Sequence, residues 1–165
     1  MKVRKIIIKS DHVLVPLTQG KFAFIDLDDV DKVKNYNWQV REGKTTYYAI
    51  RYDCAANKLI RMHRIIMNAP LELQVDHKDH NGLNNRKLNL RLATSAQNNM
   101  NGKSRKGTSK YKGVSFCKFY KKYVAYIGFN NKKIYLGSSR DEIECAKLYD
   151  EAAKKYFGEF AYTNF

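Results

Sequence analysis

The stretch from Val75 to Asn98 constrains this chain more than any other. Leu73-Gln74-Val75 leads into Asp76-His77, and Asp79-His80-Asn81-Gly82 follows as a turn-forming loop. Leu88-Asn89-Leu90-Arg91-Leu92 then reads as a second strand over Leu90 to Ala93. Thr94 and Gln97 have capping-box spacing, so a helix is expected to begin at Ser95, with Asn98 in its first turn. Neighbouring residues on a strand point to opposite faces. Asp76 and His77 can therefore serve one site only if the strand ends there, and the loop supplies that ending.

These residue types suit phosphodiester hydrolysis, which needs an activated water, a Lewis acid and help for the leaving oxygen. Asp76 is a hard oxygen donor of the kind magnesium or manganese prefers, and Asn98 offers a second oxygen. His77 can accept a proton near neutral pH. The plainer alternative is a hydrogen-bonded Asp-His loop pair with no chemistry. His63 reads as a satisfied histidine near the core, and Trp38 as core.

Around this segment the pattern changes twice. From Val3 to about Ala69 the chain reads as short strands (Val13 to Val15, Lys21 to Leu27, Tyr36 to Val40, Thr46 to Tyr52) with turns at Gly20 and Glu42-Gly43. Residues 102–109 read as a flexible basic linker. After it come three strands, Tyr111 to Phe116, Tyr123 to Phe129 and Lys132 to Leu136, with Asn130-Asn131 turning the last hairpin. A second capping box, Ser139 with Glu142, predicts a helix from Arg140 to about Phe157 that stops at Gly158. Ile143, Ala146, Tyr149 and Ala153 share one face of it and should cover the sheet. The expected architecture is α+β: residues 1–101 as one unit and 110–165 as a three-stranded antiparallel sheet packed on one helix.

Charge limits the partner. The 165 residues carry 31 Lys plus Arg against 16 Asp plus Glu, a formal net charge of +15. Such an excess favours a polyanion, because neutralised phosphates release counterions; a solvated basic surface is the bland alternative. Between Asn101 and Ser139 there is no acidic residue, whereas the following helix is acidic. Nucleic acid should thus meet the linker and the free face of the sheet, not the helix. The three cysteines form no CxxC pair, which disfavours a zinc knuckle. No signal-peptide core or membrane-length apolar run is visible, and the expected location is the cytoplasm.

Val75-Asp76-His77-Lys78-Asp79-His80-Asn81, Asn84-Asn85-Arg86, Leu88-Asn89-Leu90-Arg91 and Asn98, with His63-Arg64-Ile65-Ile66 upstream, closely resemble HNH homing endonucleases of phages and mobile introns. The resemblance spans roughly residues 60–101. It implies a ββα-metal fold, one Mg2+ (or Mn2+) per active site held by Asp76 and Asn98, and His77 as general base. Asn89 joins the catalytic set as the asparagine that pins the loop and so orients His77; Arg91 becomes a phosphate contact. It further implies a phage-encoded protein working in a host bacterial cytoplasm. His80 stands where that family often has glycine, which leaves two readings: an altered loop, or a histidine that helps at the phosphate.

Residues 109–165 resemble the plant APETALA-two/ethylene-response DNA-binding domain, through Tyr111-Lys112-Gly113-Val114, Tyr123 to Ile127, Ile134 to Gly137, Ala146 to Ala153 and Asn164-Phe165. Such domains lay a three-stranded sheet in the major groove. The resemblance places Lys112, Ser115, Cys117, Tyr120, Tyr126, Gly128, Lys133 and Tyr135 towards double-stranded DNA, while Tyr123 and Tyr149 read as core. Ser115, Cys117 and Gly128 stand where arginines are usual, so the plant target does not transfer. The combined expectation is a homing-type DNA endonuclease that nicks or makes double-strand breaks; its rival is a non-catalytic, transcription-factor-like DNA-binding protein. No heptad marks an oligomeric state.

Overall fold

Alternation of apolar residues builds the first sheet. In the computed structural model, which describes residues 2–102 and 107–165, β1 (Ile7–Ile8), β2 (Val13–Pro16) and β3 (Phe22–Ile25) pair antiparallel in the order β1-β2-β3. Val13 faces Ile25 and Val15 faces Ala23, and all four are buried. After the short helix α1 (Val30–Val33), a second antiparallel sheet forms from β4 (Gln39–Glu42), β5 (Tyr47–Asp53) and β6 (Lys58–Arg61). Val40, Ala49 and Ile60 point from it into the same core as the first sheet, together with Trp38, Met62 and Ile66. Trp38 is fully buried as expected, and its indole donates to Val33 O at 3.1 Å.

The expected strand at Tyr36 to Val40 lies further along, at Gln39–Glu42. Asn37 is instead tied to the N-terminal segment: its side chain accepts from Arg4 N at 2.9 Å and donates to Lys2 O at 3.1 Å. The apolar segment after β6 forms α2 (Met62–Ile66), and β7 (Gln74–His77) pairs antiparallel with β8 (Leu90–Ala93). Helix α3 (Ser95–Asn101) begins where the sequence places it.

The chain divides into two compact units, Met1–Ser95 and Ala96–Phe165. Part of the expected basic linker, residues 103–106, lies outside the described residues. In the second unit β9 (Val114–Cys117), β10 (Lys122–Phe129) and β11 (Lys132–Ser139) form an antiparallel sheet in the order β11-β10-β9. Asn130 and Asn131 both adopt positive φ (50° and 60°), the geometry of a type I′ hairpin.

Helix α4 (Glu142–Phe157) starts two residues later than expected. Ser139 is still in β11, and Asp141 caps the helix by accepting from Ile143 N at 2.8 Å. Ala146, Tyr149 and Ala153 are buried, but Ile143 is 44% exposed; Cys145 and Ala152 complete the buried face in its place. Gly158 ends the helix with φ 54°. Gly113, at φ 78°, lets the chain pass the Tyr149 ring, where a Cβ would lie 1.8 Å from a ring carbon. Asp150, buried, accepts from the Asn164 and Phe165 amides, while Asn164 Oδ1 accepts from Lys112 N, so the C-terminal residues tie α4 to the approach of β9.

The architecture is α+β, of small antiparallel sheets and few helices. Among the described residues no helix is long and apolar enough to cross a membrane.

Candidate functional site

The loop between β7 and β8 is polar and has no ladder of its own, so its backbone needs partners elsewhere. It finds them on the N-terminal strands. Phe24 N donates to Leu83 O at 2.8 Å and Asn85 N to Phe24 O at 2.7 Å, which covers the edge of β3. Gly82 N donates to Thr46 Oγ1 at 2.9 Å, and a Cβ there would lie 2.5 Å from Tyr47 O. Arg86 spans Asp26 (3.0 Å) and Asp11 (3.2 Å). Two sheets thereby fix a loop that local sequence leaves open.

Asn89 closes the loop from inside. Its Oδ1 accepts from Asp79 N at 3.0 Å, while Nδ2 donates to Asp79 Oδ1 at 2.9 Å and Asn84 O at 2.8 Å. Burial raises the affinity of the Asp79 carboxylate for a proton, but bonds from Asn84, the Asn81 amide and Asn89 outweigh it and hold its pKa below the usual value. The strand does end at the Asp-His pair: His80 N turns back to His77 O at 3.0 Å. His80 has φ 62°, a left-handed conformation that glycine adopts without strain.

Asp76 and His77 are both nearly buried. Register places Asp76 opposite Arg91, and the Arg91 Nε and guanidinium nitrogen reach Asp76 Oδ2 at 2.8 and 2.7 Å. The arginine that the resemblance assigns to phosphate is therefore the counter-charge of the candidate metal ligand. His77 Nε2 lies 3.3 Å from Asn85 Oδ1. Asn85, fully buried, commits its Nδ2 to Leu83 O at 3.2 Å and to Met62 Sδ at 3.7 Å. Its oxygen must then face the imidazole and accept, which puts the His77 proton on Nε2 and the lone pair on Nδ1. Burial lowers the His77 pKa, against the opposing Asn85 bond and the charges of Asp79 and Asp76. Sequence reasoning gave Asn85 no role; its place beside Asn84 in the Asn-Asn-Arg run was the only available signal.

Two more rings close this wall. His63 meets His77 edge-on at 5.1 Å and Tyr48 at 5.8 Å, and Tyr48 lies 6.0 Å from His77. His63 is buried as expected, but it is not satisfied: its Nδ1 has no hydrogen-bond partner among the described residues. Burial first, then the charges of His77, Arg61 and Arg64, push its pKa down to about 3.

Among the described residues no group of three or more His, Cys, Asp or Glu side chains is arranged to hold a metal ion. A carboxylate with water and phosphate oxygens around it suits magnesium, which keeps much of its hydration shell. Asp76 is a carboxylate of this kind, and Arg91 is bonded to its Oδ2. Asn98 lies in α3, within the second unit.

In the second unit, register puts Tyr126 opposite Tyr135 and Val124 opposite both Ser115 and Ser138. Together with Cys117, Tyr120 and Lys122 they line a depression of about 670 Å³ on the sheet. Tyr126 and Tyr135 are in edge contact at 5.6 Å, and the Lys133 ammonium lies 4.0 Å from the Tyr126 ring. Ala125 and Ile127 point the other way, into the core against α4. Lys112 is placed differently from the residues grouped with it: its ammonium donates to Met100 O, and burial lowers its pKa to about 8.

A strand pair carrying Asp-His at its turn, with an asparagine-pinned loop, is the layout of an HNH nuclease, and the comparisons agree. The HNH endonuclease family model matches residues 62–100. An uncharacterized HNH endonuclease of Acanthamoeba polyphaga mimivirus is 35% identical over 152 residues, covering 88% of this chain and 76% of that protein. The chain belongs to the HNH endonuclease family. Over 62 residues, 36% of the chain, it is also 44% identical to two ethylene-responsive transcription factors of Arabidopsis thaliana, one of them AP2-like; the match covers only 14% and 18% of those proteins.

Proposed function

We propose that the chain is a sequence-directed, homing-type endonuclease that hydrolyses one DNA phosphodiester per visit with His77 as general base. The observation that carries this reading is the buried His77 at the end of β7, neutral and oriented through Nε2 by Asn85. A neutral imidazole with its lone pair on Nδ1 accepts the proton of an attacking water. Asn89 keeps the loop, and so the ring, in that pose.

Asp76 and Asn98 would hold a magnesium or manganese ion, which when bound supplies Lewis-acid stabilisation of the phosphate and the leaving oxygen. Arg91 holds the Asp76 carboxylate in place through Oδ2. In the reading proposed for the C-terminal unit, Ser115, Tyr120, Tyr126, Lys133 and Tyr135 face the major groove, with Lys112 as a lesser contact. Residues 1–101 would cut and residues 110–165 would extend the recognised site. The similarity to transcription factors favours one rival, a binding protein that no longer cuts.

The test is supercoiled plasmid carrying DNA from the gene's own neighbourhood, with magnesium or EDTA, beside His77→Ala. Open circles that need metal and vanish in the variant establish the nuclease. Intact plasmid together with a retarded gel-shift band establishes the rival. The circle-to-linear ratio separates nicking from double-strand cutting.

A further inference from the structure

The β4-β5-β6 sheet has a second face that the core does not use. Val40, Ala49 and Ile60 point into the core. Period-two alternation sends Arg41 and Arg61 to the opposite side, where Arg41 stands across from Tyr48 and Arg61 across from Ile50. Both are exposed, on the two outer strands of one sheet. With Lys44 and Arg64 they line a cavity of about 640 Å³ in the first unit, and Glu42 is the one carboxylate among its lining residues.

These cations are held together without compensation. No ion pair or side-chain hydrogen bond among the described residues engages Arg41, Lys44 or Arg61. Arg64 is rigid: its guanidinium donates to Leu73 O, Ala69 O and Pro70 O at 2.7 to 3.1 Å, so it brings a fixed charge with all of these bonds made to neutral groups. Like charges gathered on one wall repel unless an anion joins them. The lining also includes His63, nearly buried and with its Nδ1 unpartnered, and Tyr48. Those two rings touch His77, so the basic cavity and the proposed general base share an aromatic wall.

We propose that this cavity seats a backbone phosphate of duplex DNA beside the scissile one, with Arg41 and Arg61 as its principal contacts. Charge complementarity and the shared wall with His77 argue for a phosphate of the substrate rather than a distant anchor. The proposal rests on the nuclease reading only in setting this phosphate beside the one that is cut. The binding surface itself requires no cleavage. It adds a grip within the cutting unit to the one proposed on the C-terminal sheet. Phosphate contacts of this kind fix register on the duplex and carry no sequence information.

The experiment measures binding of a labelled cognate duplex in EDTA, using full-length His77→Ala and the same chain with Arg41→Gln and Arg61→Gln added. Each phosphate neutralised contributes about 0.9 to the slope of log affinity against log salt. The added substitutions should lower that slope by about 1 and weaken binding roughly tenfold near physiological salt, with the melting temperature unchanged. A duplex with a methylphosphonate at the phosphate flanking the cut should lose the difference between the two proteins. An unchanged slope overturns the proposal, as does a difference that survives every methylphosphonate placed near the cut. Slope loss with structured RNA but not with DNA overturns the choice of occupant. If plasmid stays intact but the slope falls, the nuclease reading fails and the phosphate seat stands. If nicking occurs and the slope is constant, the reverse holds.

Discussion

His77 Nε2 lies 3.3 Å from Asn85 Oδ1, and the other end of that amide is committed to Leu83 O. One side chain therefore sets the tautomer of the proposed general base, while Asn89, four residues on, sets the loop. Replacing Asn85 by Ala removes the acceptor that keeps the proton on Nε2 and should raise the share of the Nδ1–H tautomer. Nicking should fall about 100-fold, in line with losses from misplaced catalytic groups. Imidazole nitrogen shifts by NMR should move from a single Nε2–H form to a tautomer mixture, a change that general loosening of the fold does not produce.

Asn89→Ala removes two donors and one acceptor from Asp79 and Asn84. A lost hydrogen bond costs about 0.5–1.5 kcal/mol net, so losing these three should cost about 2 kcal/mol by urea denaturation, and the variant should cut poorly. Asn89→Asp should fare no better, because it aims a carboxylate at Asp79.

His63 titrates near 6.5 when unfolded but is pushed down to about 3 when folded. Between those values the unfolded chain binds more protons, so stability falls as pH falls. The slope is up to about 1.4 kcal/mol per pH unit. Above 6.5 the contribution is complete and flat. His77, also lowered by burial, acts in the same direction. Melting curves from pH 7 to 4.5 should show a steeper loss for the wild type than for His63→Phe; parallel curves would falsify this account.

Asp76→Ala removes the carboxylate to which Arg91, its side chain only 11% exposed, is bonded. Orphaning one member of a buried ion pair costs about 3–5 kcal/mol. Loss of cleavage in that variant therefore mixes metal binding with stability. Asp76→Ala with Arg91→Met should recover most of the melting temperature and none of the cleavage.

Gly113→Ala places a methyl group on the Tyr149 ring at positive φ. Backbone strain of about 1–2 kcal/mol and overpacking of about 1–3 kcal/mol should together lower the melting of the C-terminal unit. Plasmid gel-shift should weaken in parallel.

Much of this was written locally. Capping-box spacing gave the start of α3 at Ser95, Asn130-Asn131 gave the last hairpin, and Asp79 to Gly82 gave the end of β7 at His77. Such features are set by residues within a turn of each other, so a sequence carries them directly. Local signals also misled where two competed: Ser139 and Asp141 both cap helices, and only the extent of β11 decided for Asp141.

What tertiary structure alone decided is who holds the site in place. Arg86 reaches Asp11 and Asp26, Asn85 docks on Phe24, and Gly82 slots against Tyr48, across separations of 34 to 75 residues that no periodicity reports. Arg91 likewise reads as a free cation in sequence, yet strand register sets it against Asp76. Register also gathers Arg41 and Arg61 on one face of a sheet, though twenty positions part them in the chain. The sequence alone determined which residue types stand at the turn and on the helices and strands. Long-range pairing determined their partners, because a buried polar group must find its hydrogen bonds wherever the folded chain supplies them.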